Sequence, residues 1–176
     1  SYTFNGETNT TGVFTGVSAG LAQAYSVTDA NLCGPVTGTI DVTEPDAIIV
    51  TSATVTSAIL CNGSTGEVTI VATGGTAPLS YTFNGETNTT GVFTGVSAGL
   101  AQPYSVTDAN LCGPVTGSID VTESDAITLT SATVSSSILC NGGTGEVTIV
   151  ATGGTAPLSY TFNGETNTTG VFTGVS

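Results

Sequence analysis

Not one Lys, Arg or His occurs in these 176 residues, against 13 Asp and Glu, and the formal net charge is −13. That one-sided balance removes whole classes of function. Nucleic-acid binding needs cations to neutralise phosphates, so no nucleic-acid partner is expected. Attraction to anionic lipid fails for the same reason. No salt bridge can form between side chains, and each carboxylate must be solvated, hydrogen-bonded to backbone or bound by a cation from outside. A Lys–Asn isopeptide crosslink is impossible, and trypsin has no site to cut. Acid–base catalysis is left with carboxylates alone. Nothing in their spacing sets two of them in a glycosidase cleft, so we expect no enzyme, no catalytic residue and no cofactor-binding residue. No apolar run approaches the roughly 18 to 20 residues that span a bilayer, and no membrane insertion is expected. Met is also absent, and no signal peptide is visible, so the chain reads as an excerpt of a longer polypeptide.

What is present is one 79-residue text written more than twice. Ser1–Leu79 recurs as Ser80–Leu158, and Ser159–Ser176 begins it again. The first two copies differ at eight positions: 24, 39, 45, 49, 50, 56, 58 and 64, each against its partner 79 later. A period this long is a domain per copy rather than a solenoid turn of about 20 to 50 residues. The expected division is residues 1–45 as the C-terminal part of one repeat, 46–124 as a complete repeat and 125–176 as the N-terminal part of a third.

In the complete copy the side-chain period is two. Val68, Ile70 and Ala72 alternate with Glu67, Thr69 and Val71, the pattern of a half-buried strand. Gly74-Gly75-Thr76-Ala77-Pro78 breaks it. Tyr81 and Phe83 share a face on the next strand, which ends at the turn pair Asn84-Gly85. Glu86–Gly91 reads as a loop or short edge strand, and Val92–Val96 as a short strand. Tyr104, Val106 and Asp108 alternate again, residues 108–112 turn the chain, and Val115, Ile119 and Val121 mark a last strand. Residues 48–60 form a long first strand, with a bulge expected near Ala53 where the alternation slips. No helical period occurs anywhere. These observations predict an all-β chain of tandem Ig-like antiparallel β-sandwich domains, about seven strands per repeat. The predicted core is Val68, Ile70, Tyr81, Phe83, Tyr104, Val106, Ile119 and Val121, with Tyr104 also a candidate tyrosine-corner residue. Glu44-Pro45-Asp46 and Glu123-Ser124-Asp125 link the copies without a flexible Gly/Ser spacer.

Two sets of residues invite a chemical reading. Asp41, Glu44 and Asp46 crowd one link and Asp120, Glu123 and Asp125 the next. Calcium takes six to eight oxygens, which these carboxylates plus Asp108 or Asn110 could supply in part, although the spacing matches no EF-hand loop. The bland reading is that charges at strand ends solvate edges and block sheet-to-sheet aggregation. Cys33, Cys61, Cys112 and Cys140 alternate at separations of 28, 51 and 28 residues, which reads as a disulfide framework made in an oxidising compartment. With no CxxC and no His, zinc is not favoured. Three pairings are open: Cys61 with Cys112 within a repeat, Cys33 with Cys61 across a long hairpin turning at Pro45-Asp46, or each first-turn cysteine with the last-turn cysteine of the following unit. The sequons at Asn9, Asn62, Asn88 and Asn167 would accept N-glycans in a suitable secretory host, although Thr and Gly are abundant enough to produce them by chance.

Taken in order, Cys61-Asn62-Gly63, Gly74-Gly75-Thr76-Ala77-Pro78 before Tyr81, Ser97-Ala98-Gly99, the run from Tyr104 to Asn110 and Cys112 resemble the SprB-type repeat of Bacteroidota gliding and surface adhesins. Leu79 stands where that family has an aromatic, Leu100-Ala101-Gln102-Pro103 lengthens the step to Tyr104, and Leu111 replaces a Gly before Cys112. The resemblance implies a long repetitive protein exported by the type IX route and held outside the cell at the bacterial surface. It implies the shaft or filament of an adhesin used in attachment or gliding, with neighbouring repeats as partners and the external surface or glycan gripped by regions outside this chain. The alternatives are a multivalent glycan- or surface-binding array, stiffened by calcium or not, and copies of the chain assembled into an extracellular fibre.

Overall fold

The computed structural model describes residues 1–176 and contains strands and turns without a helix. The chain divides into two compact units, Ser1–Ala47 and Ile48–Ser176.

The first unit is a single antiparallel sheet. Strands β1 (Tyr2–Phe4), β2 (Glu7–Asn9), β3 (Gly20–Val27) and β4 (Val36–Val42) lie in the order β2-β1-β3-β4.

The second unit contains the complete repeat. Its strands are β5 (Ile49–Ser57), β6 (Gly66–Thr73), β7 (Ser80–Phe83), β8 (Glu86–Asn88), β9 (Val92–Val96), β10 (Gly99–Thr107) and β11 (Val115–Val121). They make two antiparallel sheets, β5-β6-β9 and β11-β10-β7-β8. The seven-stranded β-sandwich read from the alternation is therefore present, and Glu86–Asn88 is an edge strand. The expected bulge near Ala53 is a pair of register shifts on either side of it, between Val50 and Ser52 and between Val55 and Ser57. The unit continues with β12 (Thr128–Ser136), β13 (Gly145–Thr152), β14 (Tyr160–Phe162), β15 (Glu165–Asn167) and β16 (Val171–Val175), which repeat β5 to β9 as a sheet β12-β13-β16 and a hairpin β14-β15.

Between the two sheets of the complete repeat lie Val68, Ile70, Tyr81, Phe83, Val106, Ile119 and Val121, as predicted, together with Ile59, Phe93 and Val96. The Phe83 and Phe93 rings, one from each sheet, meet at 5.5 Å and 42°, a tilted geometry that suits the ring quadrupoles. Each fully covered Val or Ile contributes about 1.5 to 3 kcal/mol relative to an exposed one. Tyr104 packs at the rim of this core and forms no tyrosine corner. Its ring lies across Gly117, its partner on β11, so closely that any side chain there would collide. Gly91 is required for a similar reason. It turns the chain at φ +72° while its carbonyl accepts the Ile70 amide at 2.8 Å, and a Cβ would strike the Ile70 carbonyl.

The chain enters and leaves this sandwich at opposite ends. At the entry, Ile48 packs beside Gly75, which also touches the Asp108 side chain. At the exit, Glu123 follows β11 and forms a parallel bridge with Ile59, beyond the far end of β5.

Candidate functional site

Two of the acidic residues that the sequence marked as chemical, Asp108 and Glu123, stand at these two ends, and both bond to backbone amides. At the entry end Asp108 is buried in the turn after β10. Its Oδ2 accepts the Thr76 amide at 3.0 Å, and its Oδ1 accepts the Asn110 and Cys112 amides at 2.9 and 2.8 Å. These donors, Thr76 foremost, hold the Asp108 carboxyl below its ordinary range. Asn110 donates to the Thr76 hydroxyl at 3.1 Å, and the Ala109 amide to the Thr76 carbonyl at 3.0 Å. The loop Gly74–Pro78 is thereby tied to the turn 108–112. Asp29 repeats the arrangement in the first unit, accepting the Asn31 and Cys33 amides, and its carboxyl is lowered chiefly by the Cys33 amide.

At the exit end Glu123 is the central group. Its Oε2 accepts the Gly63 amide at 2.6 Å, and its Oε1 accepts Asn62 Nδ2 at 3.2 Å. Asn62 Nδ2 also reaches the Ser124 carbonyl at 3.2 Å. The next two residues face the following copy: Ser124 Oγ lies 2.9 Å from Thr155 Oγ1, and the Asp125 carbonyl accepts the Gly154 amide at 2.8 Å. Three consecutive residues therefore bond backward to the turn Asn62-Gly63 and forward to the loop Gly154-Thr155. An open cleft of about 520 Å³ lies between, walled by Leu60, Cys61 and Asn62 on one side and Ala126, Ile127 and Thr155 on the other.

The remaining acidic candidates do not converge. Asp120 Oδ1 accepts the Ala101 amide at 2.7 Å, and Asp41 accepts that of Ala22 at 2.7 Å. Both amides belong to the bulge created by the lengthened step after Gly99 or Gly20, where Ala101 and Ala22 adopt φ +50°. Glu44 and Asp46 are exposed. No three acidic or cysteine side chains come together as an ion-holding group.

The disulfide framework expected from the cysteine spacing is not formed. Cys33, Cys61, Cys112 and Cys140 are all free and exposed. Cys61 sits in the turn at the exit of the complete repeat and Cys112 in the turn at its entry, separated by the length of β11. Seven extended residues span about 20 Å, far beyond the roughly 7 Å that a disulfide tolerates between Cα atoms. Nor do residues 33–61 fold as one hairpin, because β4 pairs with β3 and β5 with β6.

The sequon asparagines are also structural. Asn88 Nδ2 donates to the Val92 carbonyl at 2.8 Å while its Oδ1 accepts the Thr90 and Gly91 amides, and Asn9 and Asn167 repeat this with Val13 and Val171. What the sequence reading missed is the pairing of Glu123 with Asn62-Gly63. The signal was the small, flexible Cys61-Asn62-Gly63 turn, whose free amides need an acceptor.

The protein-family model described as SprB repeat matches residues 53–88 and again residues 132–167. The SprB repeat is thus detected twice in the chain. Each match runs from within the first strand of a copy to the end of its fourth, β5 to β8 and then β12 to β15. It includes the turn Cys61-Asn62-Gly63 and the loop Gly74–Pro78, while the motifs from Ser97 to Cys112 lie outside it. The SprB repeat is a structural repeat of surface adhesins and gliding-related proteins rather than an enzyme family. No curated protein and no solved structure matches the chain.

Proposed function

We propose that this chain is a segment of the shaft or filament of a long bacterial cell-surface adhesin used in attachment or gliding, and that its work is mechanical. The supporting observation is the link Glu123-Ser124-Asp125, which is hydrogen-bonded to both the copy before it and the copy after it. A chain that enters and leaves each sandwich at opposite ends, through so short and so bonded a link, converts copy number into length. Near-verbatim copies suit that purpose, because no single copy has to be special. The absence of cations fits the same role: like charge on every copy discourages back-folding, and nothing offers trypsin-like proteases a site. Export by the type IX route and a location outside the cell follow from this reading. The adhesion target is then gripped elsewhere in the protein.

The test is stretching. Pulling single tandem arrays of this repeat should give evenly spaced unfolding events, each releasing up to about 270 Å for a 79-residue copy. A smooth extension without such events would sink the reading. The alternative, a binding array that presents residues 86–91, predicts glycan or surface binding by the same arrays, which a glycan array reads directly. The polar groups of Asn88 and Thr90 in that loop are already bonded to one another and to the local backbone, which favours the shaft.

A further inference from the structure

An asparagine followed by glycine is chemically labile, because the glycine amide can reach the asparagine side chain with no Cβ in its way. The complete repeat holds two such pairs, Asn62-Gly63 and Asn84-Gly85, and both are exposed to water. They are held differently. Asn84 Nδ2 donates to Gln102 Oε1 on β10. Asn62-Gly63 sits in a turn closed by the Ser64 amide on the Cys61 carbonyl at 3.1 Å, with Gly63 at φ +75°. Nothing stands within 4 Å of where a Gly63 Cβ would be, so packing does not restrain the turn. Glu123 does: its Oε2 accepts the Gly63 amide at 2.6 Å and its Oε1 accepts Asn62 Nδ2 at 3.2 Å.

These two nitrogens are the ones that deamidation must change. The Gly63 nitrogen gives its proton to hydroxide and bonds to Asn62 Cγ, the Cγ–Nδ2 bond breaks, and ammonia leaves. Water then opens the cyclic imide at either carbonyl to give aspartate or isoaspartate, so that one water is consumed for each ammonia released. While Glu123 is in place, the proton that must leave is held by a carboxylate, and the anion left behind would face that charge. The attack therefore waits for the pair to open.

The product acts on the same contact. A carboxylate replaces the Nδ2 donor opposite Glu123, and the chain holds no Lys, Arg or His to bridge the two. The donor to the Ser124 carbonyl is lost with it. Isoaspartate also adds a carbon to the main chain within the turn, which moves the Gly63 amide off its acceptor.

We propose that Asn62 is a deamidation site shielded by Glu123, and that its modification permanently frees the turn Cys61-Asn62-Gly63 from the link Glu123-Ser124-Asp125. The proposal does not rest on the shaft reading, since Asn62 and Glu123 belong to one copy.

Peptide mapping by mass spectrometry tests it, with the 176-residue chain held at mildly alkaline pH, sampled over time and cut with chymotrypsin. Ser64, where the next copy has Gly143, distinguishes the Asn62 peptide from its repeat, and the identical peptides around Asn5, Asn84 and Asn163 are read together as the reference. Glu123→Ala should speed conversion at Asn62 about tenfold and leave the reference rate unchanged. No change at Asn62, a slower conversion, or an equal rise at the reference peptides, which general loosening would produce, would overturn the shielding. Asn62→Asp, the product itself, should lower the melting temperature at neutral pH at least as far as Glu123→Ala does, and should cost little more when added to Glu123→Ala. An Asn62→Asp chain as stable as wild type, or costs that simply add, would overturn the consequence.

Discussion

Removing the Glu123 carboxylate should loosen the end of the complete repeat, by an amount that can be worked out from its partners. Glu123→Ala deletes the acceptor of the Gly63 amide at 2.6 Å and of Asn62 Nδ2 at 3.2 Å. A hydrogen bond to a charged group contributes about 1.5 to 3 kcal/mol when shielded. Glu123 is half-exposed, so water replaces part of what is lost, and about 1 to 2 kcal/mol for the pair is the reasonable figure. For a domain of this size that lowers the melting temperature by about 5 to 10 °C. The chain carries its own control. Glu44 is the same residue one period earlier, it is exposed, and the unit Ser1–Ala47 has no Asn-Gly turn aligned with Asn62-Gly63. Glu44→Ala should shift the melting temperature by no more than about 1 °C. Because the partners of Glu123 are neutral, the difference should survive moderate salt, unlike that of an ion pair. Far-UV circular dichroism melts at low micromolar concentration suffice. Equal shifts for the two variants, or a Glu123→Ala effect that vanishes in salt, would refute the role given to the Glu123 bonds to Asn62-Gly63.

Three further outcomes are expected. Ile70→Ala, which empties a closed core, should cost about 3 to 4 kcal/mol, and Ile149→Ala, on a sheet lacking its cover, about half that, as read from urea midpoints. The lowered carboxyl of Asp108 contributes stability that is complete above the ordinary carboxyl value of 3.8 and is lost as the pH falls through the lower native value. Asp108→Asn should accordingly be less stable at neutral pH and show a flatter decline in acid, with Asp29 supplying the remaining slope in a pH series of melts. Millimolar calcium should leave the melting temperature of the chain unchanged within about 1 °C, because Asp120, Asp41 and Glu123 are each committed to separate backbone amides.

Much of this could be read in the residues before any coordinates. The period-two alternation at Val68, Ile70, Tyr81, Phe83, Val106, Ile119 and Val121 named the strands and the core, because one face of a pleated strand must be apolar when a second sheet covers it. The turn pair Asn84-Gly85 and the slip near Ala53 marked a hairpin and a bulge for equally local reasons. Ile59, Phe93 and Val96 escaped notice, since each lies at a strand end or in a strand too short to display a period.

The acidic residues were legible as a group but not in their roles. Asp41 and Asp120 brace bulges and Glu123 holds a turn, partnerships that span 19 to 60 residues and depend on which amides the fold leaves free. The cysteines illustrate the same limit: their regular spacing suggested pairing, while the sandwich sets Cys61 and Cys112 at opposite ends of a strand.

The sequence by itself determined the array, the strand content and the inward face, because these rest on composition, period and local stereochemistry. Only the tertiary structure decided that consecutive copies are fastened through Glu123-Ser124-Asp125. That fastening depends on which distant backbone groups the two-sheet packing leaves without a partner.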